Sequence, residues 1–374
     1  MRIALTLSGT DAGRSGLGVY LAAILPPLTR SLASLGAELL VAGSPLDLAA
    51  YAPALARAAS VGSLSTAALP AAVDRPGPGA LWHLTRLGPW AERHGCRAVL
   101  APAANRRLPA TSLPCVAVVH DLAALLVRGK YDALRTLYAR RFVAPALARA
   151  SRLVAISGAT RDDLCRLLDR PASTVPIVSN GVDTSRFHPG VAVDRSADPY
   201  LLYVSRLEHP GKNHIRLLEA YARSGARRSH RLVFAGGDWG ARPLIERTIA
   251  SLGLADRVTL AGRVDDDALP ALTASASAAL MLGLREGFGL PALEALACGV
   301  PVLVANAGAL PEVTDPLGLL CDPLDIDSIA LGLDRVVDPL VAARARDLGP
   351  AHAARFSWER TGHELATLCL GAAS

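Results

Sequence analysis

The sequence predicts an α/β protein with two Rossmann-like, doubly wound parallel-sheet domains that face a central cleft. First, apolar runs of strand length alternate with segments of helix length along the 374 residues. Second, most of these runs are continuously apolar, as in strands that are covered by helices on both faces. Third, the chain is too long for one hydrophobic core, because domains usually hold about 100–200 residues.

The first domain is predicted to span 1–185. Its strand-like runs lie at 2–8, 37–43, 97–102, 115–121 and 150–157. A helix is expected at 18–36, and Ser157 or Thr160 is expected to cap another at 161–168. The dipeptide Asn180-Gly181 reads as a turn near the end of this half.

The second domain is predicted to span 198–355, after a polar, proline-containing boundary at 182–198. Its strand-like runs lie at 199–207, 230–237, 257–264, 278–283 and 301–308. The helices between them are expected at 213–224, 242–253, 268–277 and 291–298. Ligands of such sheets bind at the carboxyl ends of the strands, so the residues just after each strand are the candidates for a site.

The composition indicates a globular, cytoplasmic enzyme, with 51% hydrophobic and 19% charged residues. Charged residues or prolines interrupt every apolar run before the roughly 20 residues that a membrane span needs. The start "MRIALTLSG" reads as a strand and not as a signal peptide. Six cysteines occur singly without a CxxC pair, which favours free thiols in a reducing compartment over disulfides or zinc.

The net charge of +6 is unevenly distributed. Residues 1–180 carry 20 Lys and Arg against 10 acids, and residues 181–374 carry 19 against 23. A basic half could meet an anionic lipid or a phosphorylated acceptor, whereas no nucleic-acid-binding signature accompanies it. The stretch 128–149 has six cations and one acid. It is either an interfacial helix on an anionic membrane or an amphipathic helix that packs on the core.

The segment "EGFGLPALE" places Glu286 and Glu294 on either side of a compact turn. Pro291 fits the first position of a short helix, and Gly299 fits the position after its end. Glu294 would then lie in the first helical turn, and the glycines between the two acids let backbone N–H groups approach a phosphate. Such a site suits a ligand with a sugar at one end and a ribose at the other. The alternative is an ordinary strand-to-helix turn with one solvated and one capping glutamate.

The segment "SRLEHPGKNH" places two cations after a predicted strand, where they could clamp a pyrophosphate beside a helix start. These are Arg206 and Lys212. The alternative is a pair of surface cations in a loop.

The first strand leads into the glycine-rich loop "SGTDAGRSGLGVY". Its glycines Gly13, Gly16 and Gly18 follow the spacing GxxGxG and not the dinucleotide-binding GxGxxG. The amide of Gly16 could contact a phosphate, or the segment is a plain tight turn.

His120 follows another apolar strand in "VVHDLA". It could bind a sugar hydroxyl or assist proton movement, or serve as a structural residue at a helix cap. Two further segments are given structural interpretations. The acids of "VDDDAL" at 264–269 are expected to cap a helix, in preference to binding a metal. The segment "AGGDWG" at 235–240 is expected to form a strand-end turn that lines the cleft.

These stretches together resemble the retaining glycosyltransferases of family 4, which have the GT-B fold of two Rossmann-like domains. The resemblance is strongest from about 199 to 325, through "SRLEHPGKNHIRLLEAY" and "REGFGLPALEALACGVPVLVANAGALPEV". The segments "GLGVY", "VVHDLA" and "SNGVDTSRFHP" occur in the order that the family shows. The segment "FSWER" looks like the family's start of a last helix, about 356–374, which packs back on the first domain.

The resemblance implies a role for each candidate residue. Arg206 and Lys212 would hold the donor pyrophosphate and stabilise it as it leaves. Glu286 would bind the hydroxyls of the donor sugar, and Glu294 would bind the ribose.

Other roles follow from the same resemblance. Gly287, Phe288, Gly289 and Leu290 would line the diphosphate and the sugar. The amide of Gly16 would contact the phosphate from the first domain, and His120 would face the donor sugar near its anomeric carbon. The family often has a double glycine where this chain has Ser15-Gly16.

The resemblance also implies a reaction that retains the anomeric configuration and needs neither a cofactor nor a metal. The pattern is most like bacterial mannosyltransferases of polysaccharide and lipopolysaccharide synthesis. We therefore favour GDP-mannose as donor over a UDP-sugar. The expected acceptor is a glycan or a lipid-linked glycan at the inner face of the cytoplasmic membrane.

Three other functions fit the sequence less well. A nicotinamide-dependent oxidoreductase would need the GxGxxG spacing that the first loop lacks. A nucleotide-sugar epimerase could share the fold. A non-catalytic two-lobed binding protein would have no use for the paired glutamates and the two cations.

Overall fold

The computed structural model describes residues 1–13, 15–104, 106–107, 111–126, 137, 141, 143–148, 150–192 and 198–373. The chain divides into two compact units. The first comprises Met1–Leu125, Asp132–Gly181 and Ser357–Ser374, and the second comprises Leu126–Tyr131 and Val182–Phe356. The first unit thus leaves off at Gly181, where the sequence suggested 185, and the second begins within the expected boundary.

The first unit contains a six-stranded parallel sheet in the order β3-β2-β1-β4-β5-β6. Its strands are β1 (Arg2–Thr6), β2 (Glu38–Gly43), β3 (Leu64–Ala68), β4 (Cys96–Ala101), β5 (Cys115–Val119) and β6 (Arg152–Ala155). The central strands are buried along almost their whole length, which explains their continuous apolar runs. The order 3-2-1-4-5-6 is that of a doubly wound Rossmann sheet.

The described helices of this part of the chain lie between the strands or, in the case of the last helix, after β6. They are α1 (Gly16–Ser34), α2 (Pro45–Ala50), α3 (Ala52–Ala59), α4 (Pro76–Thr85), α5 (Leu87–Arg93), α6 (Ala123–Leu126), α7 (Ala144–Ala148) and α8 (Gly158–Leu168). The N-terminal cap of α8 is Ser157, whose hydroxyl oxygen accepts a hydrogen bond from the backbone N–H of Thr160, as predicted. Most of the basic stretch 128–149 lies outside the described residues.

The second unit contains a six-stranded parallel sheet in the order β12-β11-β10-β7-β8-β9. Its strands are β7 (Tyr200–Val204), β8 (Arg231–Ala235), β9 (Val258–Gly262), β10 (Ala278–Met281), β11 (Val302–Ala305) and β12 (Leu319–Cys321). Read from β9, this is again the order 3-2-1-4-5-6. Both predicted doubly wound sheets are therefore confirmed, whereas a shared cleft stays a prediction.

The helices of the second unit are α9 (His214–Arg223), α10 (Arg242–Ser251), α11 (Leu269–Ser275), α12 (Leu290–Ala297), α13 (Leu310–Thr314), α14 (Ile326–Val336) and α15 (Pro339–Ala353). Strand β7 pairs with both β8 and β10, although β8 follows it in sequence and β10 comes much later. The chain therefore reverses its direction of winding between β7 and β10. Ligands of open α/β sheets bind at this topological switch point.

The last helix, α16 (Trp358–Ala373), belongs to the first unit and packs along α1. A Cβ atom on Gly362 would lie 2.6 Å from the backbone nitrogen of Leu28, so only glycine lets the two helices approach this closely. Helix α1 is long and apolar enough to cross a membrane, but 61% of its apolar window is buried within the unit. This burial is what a core helix shows.

Two local predictions are wrong. Asn180 and Gly181 form no turn; the chain there is irregular and runs beside the start of α16. A Cβ on Gly181 would lie 2.2 Å from the backbone nitrogen of Trp358, so the glycine serves close packing. The acids at 265–267 do not cap α11, whose cap residue is Ala268. The backbone carbonyl of Asp265 accepts the hydrogen bond from Leu269 there, in place of a carboxylate.

The six cysteines are unpaired, as predicted; Cys165 is half-buried and the other five are buried. Burial raises the pKa of Cys115 and Cys298 to about 12, so these thiols stay protonated and unreactive.

Candidate functional site

The segment after β7 holds both predicted cations and is folded back on the strand end. The buried Tyr203 phenol donates a hydrogen bond to the backbone carbonyl oxygen of Lys212 at 2.7 Å. Burial, and next to it the negative charge of Glu286, raise the pKa of Tyr203 well above its usual value, so the phenol remains a donor. Asn213 has a left-handed backbone (φ 59°), and its side-chain amide donates to the carbonyl oxygen of Pro323 at 2.7 Å. Lys212 is therefore fixed directly before α9.

The segment after β10 is joined to the first one by its backbone. The N–H of Leu284 donates to the carbonyl oxygen of Gly211 at 2.9 Å, and the N–H of Ala309 donates to that of Glu286 at 3.0 Å. Gly308 has a left-handed backbone (φ 61°), and a Cβ there would lie 2.3 Å from the carbonyl oxygen of Glu286. The backbone of Glu286 is thus held from two sides.

Lys212 and Glu286 form an ion pair at the switch point of the second sheet. Nζ of Lys212 lies 2.7 Å from Oε1 and 3.0 Å from Oε2 of Glu286. The side chains are 17% and 13% exposed, so water screens the pair only in part. Both residues can still turn a polar group outward to a ligand, because neither is sealed in the core.

Arg206 has two partners of different kinds. Its Nη2 lies 2.9 Å from Oε2 of Glu208, and its guanidinium carbon lies 4.1 Å from the ring centroid of Trp239. The side chain of Arg206 remains 25% exposed. The sequence motif pointed to Arg206, but not to Glu208 or Trp239. Glu208 stands two positions after Arg206 and could have been predicted from the motif. Trp239 follows β8, far along the chain, and could not.

The turn between the two glutamates begins α12 one residue earlier than expected. Gly289 is the cap residue (φ 99°), and the helix begins at Leu290, so Pro291 occupies its second position. Gly299 follows the helix with φ 74°, as predicted for the position after its end. The ring of Phe288 is buried and lies edge-on to Phe356, with centroids 5.8 Å apart. Phe288 can therefore line a ligand site only through its backbone, as Gly287 and Gly289 would.

Glu294 does not lie in the first turn of α12, which contains no acid, but one turn further on. The prediction of a direct dipole contact is wrong for this reason. Burial raises the pKa of Glu294 to about 7. Nearby Arg186 opposes that shift, and Asp266 adds to it. Arg186 is itself held by a hydrogen bond from its guanidinium to the carbonyl oxygen of Asp266. With a pKa of about 7, the carboxyl group of Glu294 is partly protonated at neutral pH.

The first unit contains the other two predicted residues. Gly16 is the first residue of α1, and the side chain of Ser15 does not cap this helix. The N–H of Gly16 thus has no partner within the helix, which leaves it suited to an anion. A Cβ on Gly16 would meet nothing within 4 Å, whereas one on Gly18 would lie 2.5 Å from Cα of Gly13. Packing within the described chain therefore requires glycine at 18 and leaves position 16 open.

His120 is buried at the end of β5. Its Nε2 lies 2.8 Å from the carbonyl oxygen of Pro102, and its ring meets that of Tyr20 edge-on at 4.4 Å. A carbonyl oxygen only accepts hydrogen bonds, so Nε2 carries the proton and Nδ1 has the lone pair. Burial lowers the pKa of His120 to about 4, against the effect of the Pro102 carbonyl, and the ring is neutral at physiological pH. Nε2 of His120 is therefore bound to the backbone, and Nδ1 can accept a hydrogen bond.

Among the described residues, no group of three or more His, Cys, Asp or Glu side chains is placed to hold a metal ion.

Two family models match successive segments of the chain. The model for glycosyltransferase family 4 matches residues 27–186, and the model for glycosyl transferases group 1 matches residues 188–346. The chain is 34% identical over 212 residues to an MMP α-(1→4)-mannosyltransferase of Mycolicibacterium hassiacum, which covers 55% of this chain and 51% of the relative. It is 28% identical over 267 residues to the O-antigen chain mannosyltransferase B of Escherichia coli, which covers 68% and 70%. The chain thus spans about half the length of the first relative.

Solved structures share the fold over the whole chain. The Anabaena protein HepE, crystallised with UDP and glucose, superposes with a TM-score of 0.74. Its sequence is 19% identical, and the match covers 99% of this chain and 100% of that one. At this identity the likeness concerns the fold alone.

Proposed function

Because this chain belongs to the family 4 glycosyltransferases, we propose that it transfers mannose from GDP-mannose to a glycan or lipid-linked glycan with retention of configuration. The observation that carries this proposal is the ion pair of Lys212 with Glu286 at the switch point of the second sheet. Arg206, the second cation, follows the same strand as Lys212, so the segment after β7 supplies two cations that suit a diphosphate, beside an acid that suits sugar hydroxyls.

Charge explains how these residues would promote the reaction. The bond between the anomeric carbon and the diphosphate oxygen breaks, and its electron pair leaves with the diphosphate. Arg206 and Lys212 offset the negative charge that develops on the leaving group. The acceptor oxygen then bonds to the anomeric carbon on the same face. Its proton passes to an oxygen of the leaving diphosphate, so no separate strong base is needed.

The remaining predicted residues would bind and orient the donor. Glu286 would accept hydrogen bonds from the sugar hydroxyls, and Glu294 would accept them from the ribose. The N–H groups of Gly287, Gly289 and Leu290 would face the diphosphate. In the first unit, the N–H of Gly16 would contact a phosphate, and Nδ1 of His120 would accept a hydrogen bond from a sugar hydroxyl.

The choice of mannose rests on the two relatives that are named mannosyltransferases. A UDP-sugar is the second candidate, because HepE was solved with UDP and glucose. The proposal includes no metal and no cofactor, since the two cations supply the charge that a metal would bring.

The first experiment identifies the nucleotide. Thermal unfolding is followed with GDP, UDP, ADP or NAD, and GDP is expected to raise the melting temperature most. Hydrolysis of GDP-mannose, UDP-glucose and UDP-galactose, with and without EDTA, then identifies the donor. Proton NMR of the transferred product reports the anomeric configuration. Stabilisation by NAD alone, or an inverted product, would refute the corresponding part of the proposal.

The acceptor is proposed to lie at the inner face of the cytoplasmic membrane. Arg141 is exposed in the basic stretch 128–149 and can be tested directly. We expect binding to vesicles that contain anionic lipid, no binding to neutral vesicles, and weaker binding for Arg141→Glu. Arg242→Glu, which changes an exposed arginine of the second unit, is the matched control. Equal binding to neutral and anionic vesicles would exclude the electrostatic contact.

A further inference from the structure

Trp239 is an exposed aromatic residue of the second unit. It lies in the segment Gly236–Gly240, which follows β8, and half of its surface is accessible. Among the aromatic residues that the structure describes, it is the only exposed one. A half-exposed indole contributes little hydrophobic stabilisation, so its presence at a strand end of the switch-point region needs another reason.

The backbone fixes the position of Trp239 against the segment that holds Arg206. The N–H of Trp239 donates to the carbonyl oxygen of Leu207, and the N–H of Leu207 donates to that of Gly237, both at 2.9 Å. Asp238 forms a parallel bridge with Leu207, and its carboxylate accepts from the N–H groups of Gly240 and Arg242. The loop is therefore a continuation of the sheet and not a loose turn.

Gly236 allows this arrangement. It has φ 155°, and a Cβ there would lie 1.9 Å from the carbonyl oxygen of Ser205. The two segments thus touch at their backbones directly before Arg206, which brings the indole onto the guanidinium.

The guanidinium of Arg206 is held on one face and at one edge. The indole lies 4.1 Å from its central carbon, and Glu208 binds Nη2 at 2.9 Å. Within the described residues, no hydrogen bond engages Nε or Nη1 of Arg206. The aromatic face and the carboxylate together set the plane of a group whose other N–H donors stay available to an anion.

We propose that Trp239 is a positioning residue for Arg206, which it holds with the free guanidinium donors directed at the donor diphosphate. This inference rests on the proposed function, because it needs Arg206 to contact that diphosphate. Trp239 acts through the arginine and touches no reacting atom. Glu208 holds the guanidinium through Nη2 and leaves Nε and Nη1 to the diphosphate.

The test compares Trp239→Phe and Trp239→Leu for turnover of the nucleotide-sugar donor. A cation–π contact of about 0.5–2 kcal/mol corresponds to a loss of roughly 2- to 30-fold in kcat/KM for Trp239→Leu. Trp239→Phe keeps an aromatic face and is expected to stay within about threefold of the parent. Trp90→Leu, which removes a partly buried indole of the first unit, is the control and should leave kcat/KM unchanged.

A double-mutant cycle with Arg206→Ala separates positioning from general structural support. If Trp239 acts through Arg206, then Trp239→Leu adds less than about a twofold loss in the Arg206→Ala background. Losses that multiply in the double variant, or a neutral Trp239→Leu, overturn the inference. If Arg206→Ala is itself neutral, the diphosphate clamp of the proposed function fails instead.

Fluorescence gives a second readout that a purely structural residue would not produce. GDP and UDP are expected to change the tryptophan emission of the parent protein, because a diphosphate bound to the free donors of Arg206 alters the charge beside the indole. The change should vanish in Trp239→Phe and persist in Trp90→Leu. A nucleotide-induced change in emission that persists in Trp239→Phe contradicts the inference.

Discussion

Nζ of Lys212 lies 2.7 Å from Oε1 of Glu286, although the two residues are 74 positions apart in the sequence. Lys212 follows β7 and Glu286 follows β10, and these strands are neighbours in the sheet because the winding reverses between them. A cation and an acid that the sequence placed in separate motifs are therefore one charged unit. Each neutralises the other in a partly buried place, and a ligand with both a phosphate and hydroxyl groups can bind to both.

Removal of the cation should harm the binding of every diphosphate ligand. We expect Lys212→Ala to lower kcat for donor turnover by about 10²–10³, as the loss of one charge-stabilising donor does elsewhere. Its affinity for free GDP or UDP should fall as well, because the lysine contacts the diphosphate itself. Steady-state kinetics and titration calorimetry measure the two effects. Turnover within a few-fold of the parent would exclude Lys212 from the clamp.

Removal of the acid's charge should affect only ligands that carry a sugar. In Glu286→Gln the side chain keeps its shape, but it no longer accepts hydrogen bonds as a carboxylate and no longer pairs with Lys212. We expect a fall of about 10²-fold in kcat/KM for the nucleotide sugar. The dissociation constant of the free nucleoside diphosphate should stay within a few-fold of the parent's. Equal losses for the sugar donor and the free nucleotide would contradict a role for Glu286 at the sugar.

We expect glycine at 308 to be needed for two reasons: its own left-handed backbone, and the close approach of the Glu286 backbone. Gly308→Ala and Gly253→Ala both place a side chain at a left-handed position, with φ 61° and 65°, at a cost of about 1–2 kcal/mol each. Only at 308 does the new Cβ collide with the backbone of Glu286, whereas Gly253 has nothing within 4 Å. Chemical denaturation should therefore show a larger loss of stability for Gly308→Ala, and donor turnover should fall in that variant alone. Equal effects of both variants would argue against this role.

Glu294 should make the protein less stable as pH rises. Burial raises its pKa from 4.5 to about 7 in the folded protein, so between these values the folded state keeps a proton that the unfolded chain has lost. Stability therefore falls across this window as pH increases. We expect Glu294→Gln to raise the melting temperature relative to the parent more at pH 8 than at pH 5. Glu246→Gln, at an exposed ion pair, should show no such trend. A difference between Glu294→Gln and the parent that does not vary with pH would disprove the shift.

His120 should contribute no titration near neutral pH. Its pKa is lowered to about 4 by burial, and the Nε2–H tautomer is fixed by Pro102. NMR of a sample with ¹⁵N-labelled histidine should show this tautomer unchanged from pH 5.5 to 8.5. A pKa between 6 and 7 for His120 would show that the ring can act as an acid or base in turnover.

The two doubly wound sheets could be predicted from the amino-acid pattern, because strands buried on both faces must be continuously apolar and such runs are visible in a sequence. It missed the edge strands β3 and β12, which are half exposed and lack that pattern. It also selected Arg206, Lys212 and Glu286 from their places after strands, since a parallel sheet brings all its carboxyl ends to one edge, and Glu294 from its place in the helix that follows. The tertiary structure alone decided which of these groups meet. The pairing of Lys212 with Glu286, the stacking of Trp239 on Arg206 and the partly buried setting of Glu294 depend on strand order and on backbone contacts between loops far apart in the chain. A linear motif does not encode such distances in space.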